Sequence, residues 1–185
     1  MKIRPCEPPF DRQAHRSLEE LQAHLQADRK EPTKKLQQIV HRQQDGSRNS
    51  PEETYLSIER GVVGDRWYHD PERKRVEQIA IMDWHVASVI ANGQSLTLFG
   101  DNLFLDYRVG ELAVGQYFSL GDAILVVTEE PHNGCSKFAM RFGAAALKLT
   151  CLDKKKKLRG IYAAVEREGK VSIGDRLELR DFDSF

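Results

Sequence analysis

From Tyr55 onward glycine cuts the chain into short lengths, and this punctuation constrains the fold more than any other feature. Gly61, Gly64-Asp65, Gly100-Asp101, Gly115, Gly121-Asp122, Gly169 and Gly174-Asp175 supply turns, and four Gly-Asp dipeptides in so short a stretch call for tight hairpin or corner connections. Between them lie brief runs with β-branched or aromatic residues, at 55–59, 79–83, 96–98, 112–120, 123–129, 161–167 and 176–180, which read as strands. Helices are expected mainly over 85–91 and 136–149. Many short strands with few helices predict a mainly β protein, a closed or nearly closed antiparallel barrel rather than alternating βαβ units.

Upstream the character differs. Residues 1 to about 50 are rich in Gln, Lys, Arg and His. Leu18, Leu21 and Leu25 recur at helical spacing, as do Leu36, Ile39 and Val40, with Pro32 between the two sets. We expect two short helices, each with a narrow apolar stripe that packs on the main domain or on another subunit. This divides the chain into a polar helical extension and linker, 1–50, and a β-barrel domain, 51–185. Gln43 to Pro51 is the expected connector.

With 185 residues, 40% of them hydrophobic, the chain supports one medium domain. Lys plus Arg and Asp plus Glu are equal at 28 each, so no global field draws in nucleic acid or an anionic membrane; the expected partner is a small molecule. Three scattered cysteines, Cys6, Cys135 and Cys151, fit neither a disulfide framework nor a structural zinc site and favour a reducing compartment. No apolar run approaches a membrane span, and the start of the chain carries no apolar leader core, so the expected location is cytoplasmic.

The stretch 130–143 (EPHNGCSKFAMRFG) holds the most suggestive chemistry. Pro131, Asn133 and Gly134 form a turn, and a helix should begin near Cys135. Free N–H groups at a helix start favour negative charge, which suits a reactive thiol beside an oxyanion. Lys137 and Arg141, four apart, share one face and add cationic charge; Phe138 and Phe142 fall on the neighbouring face and anchor the helix. The competing reading makes Cys135 a small buried apolar residue.

Several separated motifs then occur in register: 61–66 (GVVGDR), 100–103 (GDNL), 114–128 (VGQYFSLGDAILVVT), the cysteine segment, 159–163 (RGIYA) and 169–175 (GKVSIGD). Together, over roughly residues 52 to 182, they closely resemble the MOSC domain, named after the C-terminal domain of molybdenum cofactor sulfurases, and in particular its small stand-alone members with a P-H-x-G-C-x-K-F-x-x-R-F-G segment. The resemblance implies a β-barrel with Cys135 at the family's functional cysteine, either carrying sulfur as a persulfide or ligating molybdenum of the pterin cofactor, where soft thiolate ligation is apt. From charge and spacing, Lys137, Arg141 and Arg159 suit the phosphate and polar rim of the pterin, and His132 tunes the thiol or holds an oxo group. Asn102, in a D-N-L element resembling the family's E-N-L, either lines the pocket or belongs to a strand-entry turn. Gly64-Asp65-Arg66-Trp67 matches a turn of the family, where either Arg66 faces the cofactor or Asp65 caps a loop.

The implied function is sulfur or molybdenum-pterin handling through Cys135, as an enzyme towards small N-oxygenated compounds, by reduction or sulfur transfer, or as a carrier with a redox or sulfur-donor protein partner. Larger family members carry an additional N-terminal β-rich domain, for which residues 1–50 are too short and polar. The sulfurase proper owes its chemistry to a pyridoxal phosphate domain, so that cofactor is not expected here. The alternative is a non-catalytic barrel that binds without cofactor loading and uses its N-terminal helices for homo-oligomerisation. Among the remaining features, Lys154 to Lys157 reads as a solvated connector, His15, His24 and His41 as surface residues, and Cys151 as a packing residue.

Overall fold

The structure, a computed structural model, describes residues 8–27 and 29–181; Cys6 lies outside them. In chain order the strands are β1 (Leu36–Ile39), β2 (His41–Arg42), β3 (Arg48–Asn49), β4 (Glu53–Ser57), β5 (Gly61–Val62), β6 (Ile79–Asp83), β7 (Leu103–Leu105), β8 (Tyr117–Leu120), β9 (Ala123–Val127), β10 (Ile161–Arg167), β11 (Gly169–Ser172) and β12 (Leu177–Arg180). The helices are α1 (Leu18–Gln26), α2 (Trp84–Ala91), α3 (Ser136–Phe142) and α4 (Ala144–Leu152). A seven-stranded sheet in the order β1-β7-β6-β10-β9-β8-β12 dominates, with a three-stranded sheet β11-β4-β5 and the small pair β2-β3 beside it.

The main sheet curls into a half-barrel and does not close. Its edge strands β1 and β12 form no ladder and meet around a bridge between Lys35 and Arg176, where the Leu36 N–H donates to the Asp175 carbonyl, the Leu177 N–H to that of Lys34 and the Gly174 N–H to that of Leu36, each at 2.8 Å. Nor is it wholly antiparallel. β6 and β7 run parallel, because the chain between them crosses over through α2 and a 3₁₀ turn at Leu96–Leu98, a segment expected to be a strand. The run expected over 112–120 shortens to β8, with a 3₁₀ turn at Val109–Glu111 ahead of it.

A second correction concerns residues 36–40. Residues 36–39 form β1, not a helix, and Val40 follows it, so the compositional break near residue 50 is no break in the sheet. The register shifts between Leu36 and Gln38, and this bulge lets Leu36 and Ile39, three apart, both enter the core. A bulged strand thus mimics helical spacing. In contrast, α1 forms as the leucine spacing predicts. Ser17 and Glu20 make a reciprocal capping box, and α1 packs Leu21 against α2 and α4.

Alternation along β6 and β7 explains the two-sided core. Ile79, Ile81, Leu103 and Leu105 point into the curl with Leu125 and Val165, while Met82 and Phe104 point to the other face under Phe99, Phe138 and Phe142. Burying each such side chain stabilises the fold by about 1.5–3 kcal/mol. Phe138 and Phe142 anchor α3 as their spacing predicts, Phe142 stacking on Phe99 at 4.1 Å. The helix expected to run on to 149 is broken at Gly143 (φ +90°), leaving α3 and α4 as separate elements.

Candidate functional site

The site grows from the entry to β10. Gly160 has φ +104°, and a Cβ there would collide with the Ile81 carbonyl oxygen and lie 3.2 Å from His132 Nδ1. The glycine therefore lets the segment 131–133 close over the sheet. Arg159, assigned by charge and spacing to the polar rim of a cofactor, is 6% exposed. Its Nη1 donates to Oδ2 of the fully buried Asp101 at 2.7 Å, and its guanidinium lies over the Phe138 ring.

On the other side of Asp101, Oδ1 faces His132 Nδ1 at 3.4 Å. That distance exceeds a well-formed hydrogen bond, and both atoms are buried without a hydrogen-bond partner among the described residues. Burial, reinforced by Arg159 and Arg42, pushes His132 well below the ordinary histidine range, so its imidazole is neutral and the contact is not an ion pair. Burial likewise raises the Asp101 carboxyl, with Arg159 opposing. The His132 ring lies 4.3 Å from that of Tyr162, whose phenol is pushed up to about 12 by burial and then by Asp101.

A second buried network adjoins the first. Arg42 grips Asp65 through Nε (2.9 Å), Nη2 (2.7 Å) and its backbone N–H (2.8 Å). Burial alone would raise the Asp65 carboxyl; the Arg42 hydrogen bonds and charge outweigh it and hold it below the usual range. Asp65 also caps the turn at Arg66–His69, as its position predicts. Asn102 is fully buried, donating to Asp65 Oδ2 at 3.0 Å and accepting from the Ala80 N–H, which makes it a structural clasp at the start of β7. Arg66 holds its proton less readily than an ordinary arginine, because of burial first and then the neighbouring charges of Arg42 and Arg141. Arg141 is itself buried and donates to the Leu98 carbonyl.

Two clefts flank the His132–Tyr162 ring pair. One, about 310 Å³, is bordered by His132, Arg159, Thr128, Asn133, Lys154 and Lys157. The other, about 490 Å³, is bordered by Tyr162, Arg42, Arg66, Trp67, His69 and Glu77. The structure thus brings His132 and Arg159 into direct company and sets Arg66 and Arg141 close enough to repel. Cys135 is exposed as the N-cap of α3, two residues beyond Asn133, and does not itself border either cleft. Lys137 is exposed on the first turn of α3.

Two expectations fail, and the competing reading of Cys135 as a buried apolar residue falls as well, since its side chain is exposed. Cys151 is not a packing residue; it is exposed on α4. His41 is not on the surface; it is buried against Thr54, 3.0 Å away, because the strand β2 turns it inward. Sequence reasoning missed Arg42, Asp101 and Tyr162 as site residues. Asp101 and Tyr162 stood in the quoted motifs, whereas Arg42 lay in a polar stretch with no local signal.

Among the described residues no group of three or more His, Cys, Asp or Glu is arranged to hold a metal ion, and no helix is long and apolar enough to cross a membrane.

The fold is a curled, mainly β half-barrel, with Arg42 and Arg66 at one cleft and Arg159 at the other. The MOSC domain model matches residues 80–178, and the chain belongs to that family. No curated protein matches it. Solved structures share the fold. YuaD of Bacillus subtilis aligns with TM-score 0.61 and 17% identity over 80% of this chain and 96% of that one. YiiM of Escherichia coli aligns with TM-score 0.56 and 21% identity over 80% and 70%. A protein described only as hypothetical aligns with TM-score 0.58 and 20% identity over 78% of this chain and 66% of that one, so the chain spans just under two thirds of its length.

Proposed function

We propose that this MOSC domain handles a molybdenum-pterin cofactor, or the sulfur destined for it, through Cys135. The carrying observation is that Arg42 and Arg66 border one cleft and Arg159 the other, on the same framework as the exposed Cys135 loop, an arrangement suited to an anionic group. The chain's own donors fit such a group in one specific way. Among the described residues they offer isolated exposed thiols, Cys135 in the loop beside the clefts and Cys151 on α4, rather than a ligand cluster, so the cofactor would bring its remaining metal ligands itself. Arg66 and Arg159 would meet the phosphate and polar rim, Trp67 and Tyr162 would offer ring faces to the pterin, and neutral His132 would hold its position against Asp101. When bound, the group supplies oxygen-atom or sulfur-transfer chemistry. The protein's part is to bind and orient it and to present one thiol. Reduction of small N-oxygenated compounds and delivery of persulfide sulfur are the two outputs this arrangement serves, and the cytoplasm, with a redox or sulfur-donor partner, is its natural setting.

The test is to purify the protein from hosts with and without an intact molybdopterin pathway, and to assay bound molybdenum, oxidised-pterin fluorescence and persulfide on Cys135. Loading or persulfidation in the intact host, lost in a Cys135→Ala variant, is the expected result. Absence of all three would favour a binding module without cofactor. One observation favours that second reading: Cys135 borders neither cleft. Its proposed self-association through N-terminal helices has less to recommend it, since α1 already commits Leu21 to its own chain.

A further inference from the structure

The Lys154 to Lys157 run is a largely exposed connector between α4 and β10, as its composition predicts, but it has a defined seat. Lys154–Lys156 form a 3₁₀ turn, with Asp153 Oδ1 accepting from the Lys155 N–H at 3.0 Å. Lys157 Nζ donates to the Leu112 carbonyl at 2.6 Å, and Gly110 sits so close to the Lys156 carbonyl that a Cβ would collide with it. The lysine turn is therefore docked on the Val109–Glu111 turn. It forms one wall of a cavity of about 440 Å³ bordered by Lys155, Lys156, Arg108 and Arg29. A second cavity, about 470 Å³, shares Arg29, Val86, Arg108, Lys156 and Leu158 with the first and continues onto Leu25, Leu149 and Leu152. The two are halves of one groove, cationic at one end and aliphatic at the other. Of its residues only Lys157 also borders the cleft beside His132.

The described groove residues include five lysines and arginines against the carboxylates of Asp83, Glu111 and Asp153. Arg29 and Asp83 satisfy each other in a fork of 2.7 and 3.0 Å. Glu111 and Asp153 stand 4.0 Å from Arg108 and Lys156, exposed pairs that hold little. The cationic end so retains positive charge on Arg108, Lys155 and Lys156. Two buried nitrogens of groove residues, Arg29 Nε and His85 Nε2, have no hydrogen-bond partner among the described residues. At the other end Leu152 is 51% exposed, an unusual placement for a leucine on a short helix beside two other groove leucines.

We propose that this groove binds a single-chain anionic amphiphile, its phosphate or carboxylate head at Arg108, Lys155 and Lys156 and its hydrocarbon body along Leu25, Leu149 and Leu152. Neither end alone accounts for the site: a free oxyanion leaves Leu152 and the half-buried Leu25 wet, and an uncharged chain leaves the cations unmatched. The head may not be replaced by a hydroxyl without loss, because the cationic end supplies the discrimination.

Calorimetric titration of the full chain with decyl phosphate below its micelle concentration tests this, with decanoate, decanol and inorganic phosphate in parallel arms. Saturable binding of decyl phosphate and decanoate, at least tenfold tighter than decanol or inorganic phosphate, is expected. Arg108→Gln/Lys155→Gln/Lys156→Gln should weaken it at least tenfold, as should Leu152→Asp, with unchanged thermal midpoints verifying the fold of these surface variants. Inorganic phosphate binding as tightly as decyl phosphate would overturn the amphiphile class. Binding indifferent to both variants, or protection of Cys135 from iodoacetamide by decyl phosphate, would overturn the location. None of these readouts depends on molybdenum, pterin or persulfide, so the groove and the thiol site fail separately.

Discussion

His132 carries the clearest pH signature of any residue at the site. It is neutral in the fold, held well below the ordinary histidine range by burial and by Arg159 and Arg42, while in the unfolded chain it titrates near about 6.5. As pH falls below that value the unfolded chain takes up a proton that the native state refuses, so stability is complete above it and declines below it. The slope approaches about 1.4 kcal/mol per pH unit. His41 and His85, also lowered by burial, act in the same sense, and the raised Asp101 in the opposite one. Denaturant titrations between pH 7.5 and 5 should therefore show a shallower loss for His132→Gln, which keeps the other three groups, than for the parent protein. Parallel slopes would mean that His132 is not held neutral.

At the scale of elements, the α3–α4 junction depends on one residue. Gly143 has φ +90°, and a Cβ there would stand 3.2 Å from the His15 ring. His15 Nε2 in turn lies 3.0 Å from the Arg141 carbonyl, so the break in the helix is also where the segment before α1 docks. Gly143→Ala should cost roughly 1–3 kcal/mol from backbone strain alone and lower the thermal midpoint by several degrees. An unchanged midpoint would show that the junction relaxes freely. The local signals for α1 and α3 were legible because the leucine spacing and the Phe138–Phe142 pair act within one or two turns, and the structure adds caps at Ser17 for α1 and Asp83 for α2. β1 was not legible, since its bulge places Leu36 and Ile39 on one face at a spacing that belongs to helices.

For the whole molecule, the half-barrel needs its polar leading segment. Without residues 1–50, β7 loses its neighbour β1 and exposes a row of unpaired backbone groups. Asp65 and Asn102 lose Arg42 and the Val40 carbonyl while remaining buried. Leaving buried charges and amides unpaired is among the most damaging changes a fold can suffer. A chain beginning at residue 51 should therefore fail to unfold cooperatively and should lose near-ultraviolet circular dichroism; a sharp, native-like transition would make the leading segment a dispensable appendage.

By itself the sequence determined the β-rich class, the family, and the strands β6 and β10 to the residue, because alternation, turn chemistry and capping are written over a few neighbouring positions. Only the tertiary structure decided which charges meet. Arg159 finds Asp101 across 58 positions, and Arg42 finds Asp65 across 23. No local pattern encodes those distances, and burial, which sets the protonation of His132, Asp101 and Tyr162, is a property of everything packed around them. The open edge of the sheet was equally out of reach, since closure depends on whether two strands from opposite ends of the chain pair along their length or, as here, meet around a bridge between Lys35 and Arg176.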